Sequence, residues 1–315
     1  MSGMRSYLGV DLGGTKTAVT LWRCIDGDVP QLIAKRLWST LPSGPHENLT
    51  RIVSEGRSLL SATDPEELAG IGVSGGGPVD LETGAMRFIP NLPGWESVQL
   101  TVPLQAAFAT PTYLENDAKA SALAEWRYGA GRGTDNLAFL TCSTGIGAGL
   151  IVDGALLRGH AHLAGEIGHV EIVHDGLLCG CGRRGCLEAY ASGTGIASRL
   201  AYLRQTDPSL PIDAKEVVER AQSGDDFSCT FLRETADYLA SGLAHLIFCV
   251  NPERIVMGTV VVGAGELILE PLRKHLAQRV WPSLLDGLSI LPAGLGSELG
   301  DYAALAVAVA GVERP

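Results

Sequence analysis

Three cysteines and one histidine near the middle of the chain have the spacing of a metal site. Cys179, Cys181 and Cys186 fall within eight residues, and His169 lies ten residues before the first of them. Three thiolates and one imidazole form a closed tetrahedral set for structural zinc. The glycines between these cysteines favour a metal loop over three inert buried thiols. We therefore predict a structural Zn²⁺ bound by His169, Cys179, Cys181 and Cys186.

The same metal would bring two carboxylates towards each other. Glu166 lies three residues before His169, and Glu188 lies two residues after Cys186. A zinc ion with four protein ligands has no open position for catalysis. We therefore interpret Glu166 and Glu188 as acceptors for the hydroxyl groups of a polar ligand, with surface salt bridges as the alternative.

Two glycine turns, each between two predicted strands, are suited to binding phosphate. The first is Asp11-Leu12-Gly13-Gly14-Thr15-Lys16, between strands Tyr7–Val10 and Thr17–Trp22, and the second is Ser143-Thr144-Gly145-Ile146-Gly147. Glycine lets backbone N–H groups approach phosphate oxygens without interference from a Cβ. Thr15 adds a hydroxyl donor, Lys16 adds positive charge, and Asp11 could hold Mg²⁺. A plain hairpin turn would explain either motif alone, but the pair predicts phosphates bound by both turns.

The pair Asn116-Asp117 precedes an alanine-rich predicted helix, Ala118 to Tyr128. One reading is a helix cap, because Asn and Asp are preferred at that position. The other is that Asp117 takes a proton from a substrate hydroxyl, and the helix N-terminus would favour its ionised form. Both roles are compatible if Asn116 fixes the turn or a substrate hydroxyl and Asp117 is the base.

Composition excludes several classes of protein. The 315 residues are 46% hydrophobic and carry a net charge of −11, which argues against general binding to nucleic acid or an anionic membrane. The longest apolar stretch, Ala303 to Val312, is shorter than a membrane span. Asp11 interrupts the first apolar run, so we expect no signal peptide and a cytoplasmic location.

The order of predicted elements indicates a duplicated α/β fold. Strand Asn136–Thr141, the second glycine turn and strand Ala148–Val152 repeat the pattern at the start of the chain. We expect two similar α/β halves facing each other across a cleft, with a boundary near Asn116. Further helices are predicted within Ser192–Asn251 and after Arg254–Met257.

With these motifs in view, the chain resembles the ROK family of sugar kinases and sugar-responsive repressors. The most specific stretch is Ala164-Gly165-Glu166-Ile167-Gly168-His169 with the later Cys179-Gly180-Cys181 and Gly185-Cys186-Leu187-Glu188. Asp11 to Lys16 resembles the family's first phosphate motif, Ser143 to Gly147 its second, and Asn116-Asp117 its Asn-Asp pair.

The resemblance implies an actin/hexokinase-like fold of two ribonuclease-H-like domains flanking a cleft that holds ATP and Mg²⁺. The expected domains are residues 1–116, joined by a C-terminal helix at about 301–315, and residues 117–300 with the zinc loop. Asp117 is then the catalytic base, Gly258 lies near the adenosine, and homodimers or homotetramers are usual. The residues expected to hold the hexose are Gly76, Gly77, Asn91, Asn116, Asp117, Glu166, His169 and Glu188.

Three features bear on the substrate. Gly76 stands where many glucokinase-like members have proline and amino-sugar kinases can have paired glycines. Met257 to Val260 has one glycine where members commonly have two or three, and Asn91 to Trp95 is glucokinase-like. We expect a kinase for the primary hydroxyl of a hexose, with glucose first and N-acetylmannosamine or N-acetylglucosamine as alternatives. A sugar-responsive regulator without catalysis ranks lower, because such members carry a helix-turn-helix before the first glycine motif.

Overall fold

The computed structural model describes residues 4–25, 28–63, 67–89 and 94–313; Asn91, expected in the sugar site, lies outside these described residues. The strands are β1 (Met4–Leu12), β2 (Lys16–Ile25), β3 (Gln31–Ser39), β4 (Leu68–Gly75), β5 (Val79–Asp80), β6 (Ala85–Met86), β7 (Val98–Gln99), β8 (Thr112–Asn116), β9 (Leu137–Cys142), β10 (Ile146–Val152), β11 (Ala155–Leu156), β12 (Arg254–Met257) and β13 (Ser289–Pro292). The α-helices are α1 (Pro45–Thr63), α2 (Thr101–Phe108), α3 (Asp117–Tyr128), α4 (Glu188–Ala191), α5 (Gly193–Leu203), α6 (Ala214–Gln222), α7 (Asp226–Val250), α8 (Val260–Ala264), α9 (Glu266–Ala277), α10 (Pro282–Leu285) and α11 (Leu299–Val312).

The chain forms two compact units over its described residues. The first unit comprises Met1–Gly129, Arg158–Leu163 and Leu295–Pro315, and the second comprises Ala130–Leu157 and Ala164–Gly294. The expected boundary after residue 116 differs from this division, because α3 packs against α11 and therefore belongs to the first unit.

Each unit is built on a five-stranded sheet of the same topology. The strand order is β3-β2-β1-β4-β8 in the first unit and β11-β10-β9-β12-β13 in the second. In both sheets three antiparallel strands come first in the chain. Two parallel strands then extend the sheet from the first of these three, which is β1 in one unit and β9 in the other. The expected duplication of an α/β half is confirmed, with a glycine turn joining β1 to β2 and another joining β9 to β10.

Helix α11 lies almost against the backbone of the first sheet. A Cβ at Gly72 of β4 would come within 2.0 Å of the Ala304 carbonyl oxygen, so only glycine permits this approach. The apolar run from Ala303 onwards is buried, which accounts for its high hydrophobicity without a membrane. Within the described residues no helix is both long and apolar enough to cross a bilayer.

The second unit has the larger helical layer. Helix α7 packs against α9, α6 and α4, and its leucines join the core that also contains Leu140 and Ile255 of the sheet. This layer supports the ends of β9 and β12, after which the second glycine turn and Gly258 follow.

Candidate active site

The first glycine turn is fixed from beneath by backbone and threonine hydrogen bonds. Gly13 N donates to Lys16 O at 3.0 Å, and Thr40 Oγ1 donates to Gly13 O at 2.7 Å. Thr40 N also donates to Thr15 O at 2.9 Å. Gly14, Thr15 and Lys16 are exposed. The backbone of the turn is therefore held in place by Thr40, while Gly14, Thr15 and Lys16 are open to a ligand.

Asp11, at the end of β1, lies among other charged side chains of the first unit. Burial, together with the carboxylates of Asp117 and Asp301, raises the pKa of Asp11 to about 7, and Lys35 opposes this change. Lys35 Nζ donates to Asp301 Oδ2 at 2.5 Å. Because a divalent cation stabilises neighbouring carboxylates in their ionised form, this position is suited to holding Mg²⁺.

The pair Asn116-Asp117 lies at the start of α3, and a hydrogen bond joins its two side chains. Asn116 caps α3, its Oδ1 accepting from Ala118 N at 3.1 Å and Lys119 N at 3.3 Å. Its Nδ2 donates to Asp117 Oδ1 at 3.0 Å and to Gly77 O at 3.1 Å. The cap therefore also fixes the carboxylate of the expected base.

The Asp117 side chain is exposed to solvent, although many protein atoms surround it. Desolvation by these atoms raises its pKa, against the opposing effect of hydrogen bonds from Ala118 N and Asn116. Oδ1 is occupied by these two donors, and Oδ2 lies 3.6 Å from where a Cβ would stand on Gly76. An accessible carboxylate with a raised pKa is suited to accept a proton from a hydroxyl group.

The second glycine turn, in the other unit, is joined to Glu188. Ile146 N donates to Glu188 Oε2 at 2.9 Å, and a Cβ on Gly145 would lie only 2.5 Å from the same oxygen. Gly193 N donates to Ser143 O at 2.7 Å, so the start of α5 also supports the turn. Thr144 is exposed at its tip.

A cavity of about 700 Å³ adjoins this second turn within the second unit. Its walls combine hydroxyl groups, apolar side chains and one lysine, contributed by the turn and by α5, α6 and α8; they include Ser143, Thr144, Thr194, Ala197, Lys215, Val218, Thr259 and Val260. Gly258, expected near the adenosine, is buried beside Phe139 and does not line the cavity. Its neighbours Thr259 and Val260 do, and Thr259 has a positive φ of 55°.

The four predicted zinc ligands converge within the second unit. One donor atom from each of His169, Cys179, Cys181 and Cys186 lies within 4.8 Å of the others. Cys179 Sγ is 3.8 Å from His169 Nδ1, and Cys181 Sγ is 3.7 Å from Cys186 Sγ. Burial raises the pKa of Cys179 to about 12, so an uncompensated thiolate is disfavoured there.

The two glutamates flank this cluster in different ways. Glu188 Oε1 accepts from Cys179 Sγ at 3.6 Å, which places Glu188 between the cysteine cluster and the second turn. Glu166 is exposed and immediately precedes the short 3₁₀ helix Ile167–His169. A Cβ at Gly168 would lie 2.2 Å from Ile146 O, so glycine is required where this helix crosses β10.

Sequence reasoning missed several residues that complete these arrangements. Thr40 fixes the first turn, the pair Lys35–Asp301 lies near Asp11, and Thr194 Oγ1 donates to Thr144 O at 2.6 Å. None of them belongs to a local motif, because each is brought in by tertiary packing from a distant part of the chain. Only Asp301 carried a signal in the sequence, because a charged residue stands there just before the apolar run from Ala303.

The chain is similar over nearly its whole length to known sugar kinases. The model of the ROK family matches residues 7–310. A glucokinase of Thermotoga maritima is 35% identical over 311 residues, covering 95% of this chain and 96% of the glucokinase.

Two solved structures are similar over nearly their full length. One is a ROK hexokinase from Thermus thermophilus, with a TM-score of 0.84, 32% identity and coverage of 98% of this chain and 99% of that one. The other is a ROK family glucokinase from Streptomyces griseus in complex with glucose and AMPPNP, with a TM-score of 0.78, 30% identity and coverage of 98% and 100%. With its α/β actin/hexokinase-like fold and the motifs described above, the chain belongs to the ROK family.

Proposed function

We propose that the protein is an ATP-dependent sugar kinase that phosphorylates the primary hydroxyl group of glucose, giving glucose 6-phosphate and ADP. The observation that carries this proposal is the accessible carboxylate of Asp117, held by Asn116 and by the first turn of α3. Similarity to glucokinases, including one whose structure contains glucose and AMPPNP, supports the choice of sugar and phosphoryl donor.

Asp117 acts as the general base in this proposal. The primary hydroxyl oxygen attacks the γ-phosphorus of ATP, the bond from that phosphorus to the β,γ-bridging oxygen breaks, and the hydroxyl proton passes to Asp117. Since Asp117 Oδ1 is occupied by two hydrogen-bond donors, Oδ2 is the atom that accepts the proton. General-base help of this kind contributes about 10²- to 10⁴-fold to a rate.

The glycine turns bind the phosphates, and the second unit holds the nucleoside. Gly13, Gly14, Thr15 and Lys16 present donors and positive charge from an exposed turn whose inner side is fixed. Thr144 lines a cavity that is large enough for a nucleoside, and Gly145 is the next residue of the same turn. Asp11 is suited to hold Mg²⁺, which when bound neutralises charge on the phosphates.

Hydroxyl groups of the sugar are assigned to polar side chains and to the glycine loop after β4. The loop is fixed because Gly76 N donates to Leu12 O at 3.2 Å and Gly77 O accepts from Asn116. The proposed sugar-binding residues are Gly76, Gly77, Asn91, Asn116, Asp117, Glu166, His169 and Glu188.

We propose that the cysteine cluster holds structural Zn²⁺. A tetrahedral zinc with Zn–S bonds of about 2.3 Å has S···S edges of about 3.8 Å. The Cys181–Cys186 separation of 3.7 Å agrees with that value, and the donor set is three sulfurs and one nitrogen. Bound zinc would fix His169 and the cysteine loop, and it would restrain Glu188 through Cys186, which lies two residues before it in the chain.

Turnover with a panel of sugars tests the proposed function. ADP release with Mg-ATP is measured for glucose, mannose, N-acetylglucosamine, N-acetylmannosamine and 6-deoxyglucose, the last lacking the attacking hydroxyl. We expect the highest kcat/KM with glucose. We expect no sugar-dependent ADP release with 6-deoxyglucose, which should inhibit competitively against glucose. A higher kcat/KM with an amino sugar would reassign the substrate, and equal ADP release with 6-deoxyglucose would refute sugar phosphorylation.

The homodimer or homotetramer and the cytoplasmic location stay predictions.

A further inference from the structure

Glu115 is a buried carboxylate that comes immediately before Asn116 and Asp117. Its side chain is almost fully buried, at 1% exposure, and two donors reach it. Arg158 Nε donates to Oε2 at 2.9 Å, and Asn116 N donates to Oε1 at 3.2 Å. A buried charge is tolerated only when it is paired and hydrogen-bonded. Arg158 is therefore the counterion that makes an ionised Glu115 acceptable at this end of β8.

The contacts of Glu115 continue without a break to the base. Asn116, whose N–H is held by Glu115, donates from its side chain to both Asp117 Oδ1 and Gly77 O. A chain of hydrogen bonds thus runs from Arg158 through Glu115 and Asn116 to Asp117. Rotation of the Glu115 carboxyl group would release the Asn116 N–H and with it the geometry of the cap.

Arg158 comes from an unusual place in the sequence. Arg158–Leu163 belongs to the first unit, whereas the residues on both sides of it belong to the second. The segment begins directly after Leu157, whose N–H donates to Leu150 O at 2.8 Å, and it leads into Ala164 and Glu166. Among the described residues, one ion pair joins this short segment to β8, and it is Arg158–Glu115.

Close packing alone does not explain why residue 158 is an arginine. Arg158 and Glu115 line a cavity of about 240 Å³ in the first unit, together with Thr101, Leu123 and Val307. Arg158 therefore borders open space, and its side chain is 20% exposed. An unbranched side chain such as methionine can replace it without a steric clash.

We infer that Arg158 is a positioning residue for the transfer step, acting through Glu115 on Asn116 and Asp117. The inference rests on the proposed function, because it concerns the orientation of the proposed base. The ion pair fixes the carboxyl group of Glu115, and that group fixes the strand end from which the cap and the base project. Arg158 itself touches neither the sugar nor the nucleotide in this account.

The test separates the orientation of Asp117 from the cost of an unpaired buried charge. Arg158→Met leaves Glu115 unpaired, so we expect a lower Tm and a kcat at least about 10-fold lower, since small misplacements of a catalytic group are costly. In the double variant Glu115→Gln with Arg158→Met the buried charge is gone. We expect most of the Tm to return while kcat stays low and KM for ATP changes less than about threefold.

Two further variants complete the experiment. Arg158→Lys restores a cation and is expected to recover kcat to within about threefold of the unmodified protein. Arg127→Met removes the partly exposed pair with Glu313 at the other end of α3 and should leave kcat unchanged. If Arg158→Met does not fold, the double variant carries the test by itself.

The outcomes distinguish this inference from the proposed function. Recovery of kcat together with Tm in the double variant would show that the pair only compensates a buried charge, and would overturn the inference alone. A normal kcat in Arg158→Met would do the same. An unmodified protein without glucose-dependent turnover would refute the proposed function, and the inference would fall with it.

Discussion

Replacing Asp117 by asparagine isolates its function as a base, because the change removes ionisation and keeps the shape. Ala118 N and Asn116 Nδ2 donate to Oδ1 at 2.8 and 3.0 Å, and the amide oxygen of asparagine can accept both. Gly76 has no Cβ beside the second position, so the new NH₂ group meets no side chain there. Since desolvation raises the pKa of Asp117, removing the charge also removes an unfavourable contribution to folding at neutral pH.

The expected magnitude follows from losing only the proton acceptor. We expect kcat to fall by about 10²- to 10⁴-fold, equivalent to about 3–5 kcal/mol in the barrier, with glucose affinity nearly unchanged and Tm equal to or slightly above that of the unmodified protein. Coupled ADP release gives kcat, and calorimetric titration with glucose gives the affinity. Asp225→Asn is the control for loss of a carboxylate at a helix start, because Asp225 accepts from Ser228 N at the start of α7 and lies outside the proposed site. A kcat within tenfold of normal in Asp117→Asn would remove Asp117 from the role of base.

Three further predictions concern the metal sites and the second turn. The pKa of Asp11 is raised to about 7, so its contribution to stability is present below pH 3.8 and is lost as the pH rises through 7. Asparagine avoids this loss. The free energy of unfolding of Asp11→Asn, compared with that of the unmodified protein without ligands, should therefore increase as the pH rises from 4 to 8. We expect a gain on the order of 2 kcal/mol in urea unfolding, about half the value of the full shift because the side chain is partly exposed; a gain independent of pH would contradict this assignment. Cys181→Ser should reduce zinc measured by mass spectrometry from one ion per chain to almost none and lower Tm, whereas Cys249→Ser, outside the cluster, should keep the metal; full zinc content in the first variant would refute the site. Gly145→Ala places a Cβ 2.5 Å from Glu188 Oε2, so kcat/KM for glucose should fall about 10-fold or more in steady-state assays, and an unchanged value would separate Glu188 from the sugar.

The sequence predicted those parts of the fold whose signals are local. The glycine turns follow strands in both halves, and the structure places them between β1 and β2 and between β9 and β10. The cysteine spacing predicted a cluster, and the four donor atoms do converge. Asn116 caps α3 as expected from its residue type. In each case the residues that carry the signal are close together in the chain.

Features of the fold that depend on distant partners were not predicted. Strand β3 (Gln31–Ser39) lies at the sheet edge and mixes polar and apolar residues, five of its nine residues being exposed, so its pattern is weak. Helix α3 follows the predicted domain boundary, yet its packing against α11 assigns it to the first unit. The N-cap pattern at Asn116 gives the start of this helix but carries no information about which unit it packs against.

The site residues also separate into those with a local sequence signal and those that depend on distant contacts. Asp117 could be found from its place beside a helix cap, but the hydrogen bond from Ile146 N to Glu188 joins residues 42 positions apart. Gly258 was expected near the nucleoside from the resemblance to the ROK family, whereas Thr259 and Val260 line the cavity. The direction of a backbone after a strand end is set by tertiary packing, here by Phe139 and Leu140 beside Gly258.

The position of phosphorus in the product tests the central claim most directly. The protein is incubated with Mg-ATP and glucose labelled with ¹³C at carbon 6, and the products are followed by ³¹P and ¹³C magnetic resonance. We predict one new phosphomonoester, coupled to the labelled carbon and formed in a one-to-one ratio with ADP. Phosphate on another carbon, or free phosphate with unmodified glucose, would contradict transfer to the primary hydroxyl group.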